Sequence, residues 1–126
     1  MLVEDDPDLR DWYREVLEAE GYRVTACDDG DEALGYFEDC LLHDVPRPRV
    51  DCIVSDVRMP GCTGLDLVRF IEGEGRYVPT VLVTGFAGSQ TWEAAQNLGV
   101  ASVLDKPVRA RDLVRSVHDA LGRVAS

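Results

Sequence analysis

Thr80-Val81-Leu82-Val83-Thr84 is the stretch of this sequence that decides the fold. Its side chains form a nearly continuous apolar run, which is typical of a strand buried on both faces of a parallel sheet. On either side of it, short segments of strand type alternate with longer segments of helical periodicity. The sequence therefore predicts an α/β protein built around this strand.

Outward from this strand, the chain predicts four more strands and five helices. Asp6 is expected to cap the first helix with Pro7 as its first residue, and Gly21 and Gly99 end the first and fourth helices. The other predicted strands are Leu2–Val3, Tyr22–Ala26, Val50–Ser55 ending in Asp56, and Val100–Leu104. The predicted helices are one with Leu9, Trp12, Tyr13, Val16 and Leu17 on a single face, then Asp31–Cys40, Leu65–Glu72, Ser89–Asn97 and Arg111–Leu121.

Strict alternation of five strands and five helices favours a doubly wound parallel sheet with helices on both faces. Right-handed crossovers leave few topologies, and we adopt the flavodoxin-like strand order 2-1-3-4-5 from known proteins of this size. No repeat or low-complexity stretch divides the chain, so residues 1–126 are expected to form a single domain.

The charge balance is strongly acidic, with 24 acidic residues, 13 basic residues and a formal net charge of −11. It disfavours direct nucleic-acid binding, because phosphate backbones select basic surfaces, and it is compatible with metal cations or basic protein partners. Four cysteines lie 13, 12 and 10 residues apart, without the close pairs of a zinc site. A signal-peptide pattern and an apolar run of about 20 residues are both missing, so a cytoplasmic protein without membrane contact is expected.

Polar side chains collect where the predicted strands end. Glu4-Asp5-Asp6 follow the first strand, Asp56 ends the third, Thr84 ends the fourth, and Asp105-Lys106-Pro107 follow the fifth. The carboxyl ends of parallel strands meet at one edge of the sheet, where open α/β proteins bind ligands. Crowded carboxylates at that edge need a cation among them, and hard oxygen ligands suit Mg²⁺.

These groups together suit phosphoryl transfer, which needs mainly positioning and charge stabilisation. The Asp56 carboxylate would be the nucleophile. A Mg²⁺ ion held by Glu4, Asp5 and Asp56 would neutralise the phosphoryl oxygens. Lys106 would supply a second cation and Thr84 a hydroxyl donor.

Four motifs make the sequence resemble the receiver domains of two-component response regulators over essentially its whole length. In chain order they are Leu2-Val3-Glu4-Asp5-Asp6, Val54-Ser55-Asp56-Val57-Arg58-Met59-Pro60-Gly61, Val83-Thr84-Gly85 and Asp105-Lys106-Pro107. Each motif alone is weak, but four in order, each at a predicted strand end, are a specific signal. The spacings of 28 residues from Asp56 to Thr84 and 22 from Thr84 to Lys106 are ordinary for the family.

The resemblance implies a role for each matching residue and a way of signalling. The implied roles are phosphoacceptor for Asp56, metal ligands for Glu4, Asp5 and Asp56, metal contact through the main-chain carbonyl for Arg58, switch hydroxyl for Thr84 and site lysine for Lys106. The family usually holds the Lys106–Pro107 bond cis.

A histidine kinase or phosphotransfer protein would phosphorylate Asp56, and the surface of the fourth helix, fifth strand and fifth helix would change. Self-phosphorylation from small phosphodonors, slow self-dephosphorylation, and an output domain or second receiver as partner are also implied.

Three features depart from the family pattern. Almost nothing precedes Leu2-Val3, so either a short first strand or a truncated start is expected. The loop Leu42–Arg49 is longer than usual. Val103 stands three residues before Lys106, where the family often carries a Tyr or Phe that rotates with the switch hydroxyl. The usual aromatic relay therefore lacks its ring in this chain.

Two other functions stay open on the sequence. A Mg²⁺-dependent phosphatase would use the same nucleophile, but such enzymes usually carry a second acid two residues later, where this chain has Arg58. A receiver that only binds partners would be indicated by loss of Asp56 or Lys106, and both are present.

Overall fold

The chain forms a parallel five-stranded sheet of order β2-β1-β3-β4-β5 with five helices. The computed structural model describes residues 1–59, 61–85 and 89–125, with side chains except at 89–92 and 123–125. The strands are β1 (Leu2–Val3), β2 (Ala26–Cys27), β3 (Ile53–Asp56), β4 (Thr80–Thr84) and β5 (Ser102–Asp105). The helices are α1 (Pro7–Ala19), α2 (Gly30–Leu42), α3 (Gly64–Gly73), α4 (Ser89–Asn97) and α5 (Ala110–Ala125). The predicted fold class and strand order are thereby confirmed.

Strand β4 is buried along its whole length, which explains its uninterrupted apolar sequence. Val81 and Val83 pack in a cluster that includes residues of α1 and α5, whereas Leu82 packs on the opposite face. Because both faces are covered by helices, the three central side chains of β4 are all apolar. The stretch that predicted the fold is therefore its most enclosed strand.

Three strands differ in extent from the prediction, and one of them is β5, which covers Ser102–Asp105 rather than Val100–Leu104. Strand 2 was expected at Tyr22–Ala26, but the paired residues are Ala26 and Cys27. Because β1 has only two residues, it can pair with only a short part of strand 2. The first hydrogen bond between the two strands runs from the Leu2 amide to the Thr25 carbonyl. Strand 3 likewise begins at Ile53, which lies opposite the first residue of β4, rather than at Val50. Helices α2, α3 and α5 extend their predicted spans at both ends, α4 matches its span, and α1 begins at the predicted Pro7.

The long loop before β3 folds back onto α2. The Arg47 guanidinium lies 2.7 Å from a carboxylate oxygen of Asp39 and 5.3 Å from the centre of the Tyr36 ring. The Tyr36 hydroxyl donates a hydrogen bond to the Pro48 carbonyl, and the Val45 amide donates to the Asp39 carbonyl. This loop leads into the beginning of β3, so it lies at the end of the sheet away from Asp56.

Capping at α1 agrees with the prediction. The Asp6 carboxylate accepts hydrogen bonds from the amides of Asp8 and Leu9, and Pro7 is the first helical residue. Gly21, which was expected to end this helix, follows it with a φ of 90°. None of the helices within the described residues has the length and apolar character needed to cross a bilayer.

Candidate functional site

The site residues predicted from the sequence lie together at the carboxyl edge of the sheet. Glu4 and Asp5 follow β1, Asp56 ends β3, Thr84 ends β4 and Lys106 follows β5. Glu4, Asp56 and Thr84 are buried, whereas Asp5 is exposed. Burying two carboxylates side by side is costly unless a cation or hydrogen-bond donors offset their charge.

Lys106 is the cation that joins the two buried carboxylates. Its Nζ lies 2.6 Å from Oδ2 of Asp56 and 3.2 Å from Oε1 of Glu4. The Lys106 amide donates to the Thr84 carbonyl at 2.8 Å, which ties the chain after β5 to the end of β4. The Lys106–Pro107 peptide bond is cis, as the family resemblance implies.

The acidic side chains fit a small divalent cation. Glu4, Asp5 and Asp56 each offer one oxygen, and these three oxygens all lie within 4.8 Å of one another. Carboxylate oxygens with open space for water are the donors that Mg²⁺ prefers. The Arg58 amide donates to Oδ1 of Asp56 at 3.0 Å, so the Arg58 main chain lies beside the same carboxylate. The set of three carboxylates therefore suits Mg²⁺.

Burial and the neighbouring charges of the site shift the pKa values of both Glu4 and Lys106. Burial, the charge of Asp56 and a hydrogen bond with Asp5 raise the pKa of Glu4 to about 7, although Lys106 acts against this rise. Partial burial by itself lowers the pKa of Lys106, but its hydrogen bond and charge interaction with Asp56 more than offset this and raise it. Lys106 is therefore charged throughout the range in which Glu4 titrates.

We expect Mg²⁺ to stabilise the protein more at about pH 8 than at about pH 5. An acid whose pKa is raised by folding contributes stability below its unfolded pKa, near 4.5, and that contribution is lost as the pH rises through about 7. At high pH the ionised Glu4 is then free to bind a metal, whereas at low pH a proton competes. Thermal unfolding with and without MgCl₂ measures this difference. A Glu4→Gln variant should lose most of it, and equal Mg²⁺ shifts at both pH values in the wild type would argue against the coupling.

Two features around Asp56 were not predicted. A Cβ placed on Gly64 would lie 2.9 Å from the main-chain oxygen of Asp56 and 3.0 Å from the Ser55 hydroxyl, so α3 starts in close contact with β3. The Asp31 carboxylate accepts a hydrogen bond from the Cys62 amide, which links α2 to the loop after Asp56. Pro60, which belongs to the motif around Asp56, lies outside the described residues. These approaches depend on tertiary neighbours, for which local patterns carry no signal.

Val103 lies in β5 opposite Leu82 and is partly buried. It packs against a small cluster formed by Val57, Leu82 and Ala95. Its branched side chain thus packs against aliphatic side chains of β4 and α4. An aliphatic side chain therefore stands at the position where the family often carries a ring.

Comparisons with known proteins agree with this geometry. Residues 1–118 match the family model of the response regulator receiver domain. A 14.6 kDa protein encoded in the sodA1 3' region of Leptolyngbya boryana is 34% identical over 120 residues, which cover 94% of this chain and 86% of that protein. The transcriptional regulatory protein FixJ of Azorhizobium caulinodans is 32% identical over 98% of this chain, and the C4-dicarboxylate transport transcriptional regulatory protein DctD of Pseudomonas aeruginosa is 31% identical over 96%. The chain spans only 55% of FixJ and 24% of DctD.

Solved structures show the same architecture. A response regulator receiver domain protein from Clostridium thermocellum superimposes with a TM-score of 0.84 at 25% identity, covering 98% of this chain and 94% of that chain. The chemotaxis protein CheY4 of Vibrio cholerae superimposes with a TM-score of 0.79 at 25% identity, covering 95% of both chains. With a family match over 118 of its 126 residues, the chain belongs to the response regulator receiver domain family of two-component systems.

Proposed function

We propose that this chain is a phosphoacceptor switch in which Asp56 takes a phosphoryl group from the phosphohistidine of a histidine kinase or phosphotransfer protein. An oxygen of Asp56 attacks phosphorus, and a P–O bond forms as the P–N bond breaks. The histidine ring leaves with the bonding electron pair. Receiver domains act as phosphoacceptors in general, and the proposal assigns that role in this chain to Asp56.

The observation that carries the proposal is the contact of Asp56 with Lys106, beside Glu4. A carboxylate 2.6 Å from an ammonium group, at the end of a central strand, is positioned both to attack phosphorus and to share a cation with the new phosphoryl oxygens. The Arg58 amide fixes the other oxygen of the same carboxylate. Because these donors are in place before any substrate binds, little reorganisation is needed during transfer.

Mg²⁺ is the proposed cofactor, held by Glu4, Asp5, Asp56 and the main chain of Arg58. When bound, it would supply positive charge for the oxygens of the transferring group. The other roles in the transfer belong to side chains of the protein. Asp56 is the nucleophile, Lys106 holds a phosphoryl oxygen, and the buried Thr84 lies at the end of β4 where its hydroxyl would contact the phosphorylated side chain.

The proposed output is a change in the surface of α4, β5 and α5. Thr84 and Lys106 connect the site to this surface, since they end β4 and follow β5, and the Lys106 amide bonds to the Thr84 carbonyl. With Val103 in place of an aromatic residue, the signal would pass through shifts of the aliphatic cluster around Leu82. A partner that prefers the phosphorylated arrangement would then bind more tightly.

The cellular setting is proposed from the family. Response regulators with output domains work with histidine kinases, and FixJ and DctD are transcriptional regulators by name. We propose a cytoplasmic receiver, formed by residues 1–126 as one domain, that responds to a kinase. An output domain or a second receiver is its proposed partner, without direct contact with nucleic acid or membrane.

Phosphorylation by acetyl phosphate tests the proposal. In the presence of MgCl₂, the wild type should become labelled, as resolved on a phosphate-affinity gel, and chelation of Mg²⁺ should reduce the label strongly. The Asp56→Asn variant should not be labelled, because the amide is a poor nucleophile. Asp105→Asn removes an exposed carboxylate from the same sheet edge and should be labelled like the wild type.

Two outcomes would count against the proposal. Full labelling of Asp56→Asn would place the phosphoacceptor elsewhere. Continuous release of product from a small phosphomonoester would instead favour a phosphatase. The exposed Arg58 occupies the position at which such an enzyme needs an acid, so we expect no such turnover.

A further inference from the structure

Arg10 joins three parts of the molecule near the acidic site. Its Nη1 donates a hydrogen bond to the main-chain oxygen of Glu4 at 2.9 Å, and its Nη2 lies 3.5 Å from Oδ1 of Asp28. The side chain of Arg10 is 19% exposed, whereas that of Asp28 is 74% exposed. The Arg10 side chain thus extends from α1 to the main chain of Glu4 and to Asp28 in the loop after β2.

The loop from Glu4 to Asp6 has little other support from the sheet. Strand β1 contributes only Leu2 and Val3 to the ladders, and the last bond on the β2 side is from the Glu4 amide to the Cys27 carbonyl at 3.2 Å. The hydrogen bond from Arg10 therefore holds the Glu4 carbonyl just beyond the end of the strand. Since Glu4 and Asp5 are adjacent, a shift of this peptide would move both carboxylates relative to Asp56.

We infer that Arg10 is a positioning residue that holds Glu4 and Asp5 in the arrangement that binds a divalent cation. This inference rests on the proposed Mg²⁺ site and adds a residue that does not itself touch the metal. Groups that orient metal ligands typically change metal affinity by about 10–100-fold when they are removed. The planar guanidinium suits this task, because it can bond two acceptors at a fixed angle.

A role of Arg10 through its positive charge and a role in positioning the acids predict opposite changes in Mg²⁺ affinity, so a measurement can separate them. A cation near a metal site repels the metal, so a role through charge alone means that removing Arg10 would tighten Mg²⁺ binding. A positioning role means that removal weakens binding. Replacement by lysine separates the two roles further, since lysine keeps the charge and loses the paired donors.

The experiment is an NMR titration of the unphosphorylated protein with MgCl₂, followed at the amides of Glu4, Asp5 and Arg58. We expect Arg10→Met to weaken Mg²⁺ binding about tenfold and Arg10→Lys to weaken it by a smaller factor. Arg14→Met is the matched control, because Arg14 lies one turn further along α1, is half exposed and pairs with Glu18. It removes the same charge and should leave the affinity near that of the wild type.

A purely structural role is excluded by a stability control. Leu121→Ala lowers stability at the edge of the core around α5, away from the site, and should leave the Mg²⁺ affinity unchanged. Mg²⁺ binding by both Arg10 variants that equals or exceeds that of the wild type would overturn the inference while leaving the metal site intact. A wild type whose amides do not respond to MgCl₂ would overturn the proposed metal site, and the inference with it.

Discussion

Replacing Lys106 with methionine is expected to lower the thermal midpoint of the metal-free protein by roughly 10 °C at about pH 8. The Nζ atom lies within 3.2 Å of both Glu4 and Asp56, and each of these carboxylates is less than a tenth exposed. Removing one partner of a buried ion pair leaves an uncompensated charge, which costs about 3–5 kcal/mol. Methionine fills a similar volume, so the loss reports the charge rather than a cavity.

Two companion measurements identify the cause of this loss. MgCl₂ should restore much of the midpoint in Lys106→Met, and should stabilise that variant more than the wild type, because the metal replaces the missing cation. Lowering the pH should also reduce the loss, since protonation of Glu4 removes one charge. Arg109→Met removes an exposed cation three residues along the chain and is expected to change the midpoint little. A Lys106→Met protein as stable as the wild type at high pH without metal would contradict the role of Lys106 in offsetting the two acids.

Among the glycines that the structure describes, Gly30 is the one whose replacement with alanine should lower stability most. A Cβ at Gly30 would lie 1.6 Å from the main-chain oxygen of Cys62 and 2.6 Å from its carbonyl carbon. Both atoms belong to the backbone, so relief requires α2 or the loop after Asp56 to move. Overpacking of this kind typically costs about 1–3 kcal/mol, and because the contact is with main-chain atoms rather than a flexible side chain, we expect about 3 kcal/mol or more.

Gly35→Ala in the same helix is the matched control. A Cβ there meets nothing within 4 Å, and alanine is favoured over glycine in a helix interior by about 1 kcal/mol. Urea unfolding should therefore show Gly35→Ala as more stable than the wild type and Gly30→Ala as much less stable. Equal effects of the two substitutions would mean that the contact between Gly30 and Cys62 is not a close one.

The order of elements and the edge that carries the site could be predicted from the sequence because they depend on patterns within short segments. The apolar run of β4 and the acids after β1 and β3 carry their information locally. Strand ends were less predictable. Tyr22, Val24 and Thr25 are β-forming residues, yet they have no paired residue in β1, because β1 has only two residues. Pairing, unlike propensity, is decided by what lies opposite.

Contacts between distant segments had no signal in the sequence. The sequence did not single out Arg10, because its hydrogen bond to the Glu4 carbonyl depends on how α1 packs. Gly30 and Gly64 are ordinary glycines near helix starts until Cys62 and Asp56 are placed against them. The chemistry of the site was therefore visible in residue types, whereas the groups that position it became visible only in the folded chain.

Trapping the acyl phosphate tests most directly whether Asp56 carries the phosphoryl group. Protein incubated with acetyl phosphate and MgCl₂ is treated with borohydride, which reduces an aspartyl phosphate to homoserine, and the peptides are then sequenced by mass spectrometry. We predict homoserine at position 56 and unmodified aspartate or glutamate at Glu4, Asp5 and Asp105. Reduction at another carboxylate, or no reduction in a protein that binds Mg²⁺, would contradict the assignment.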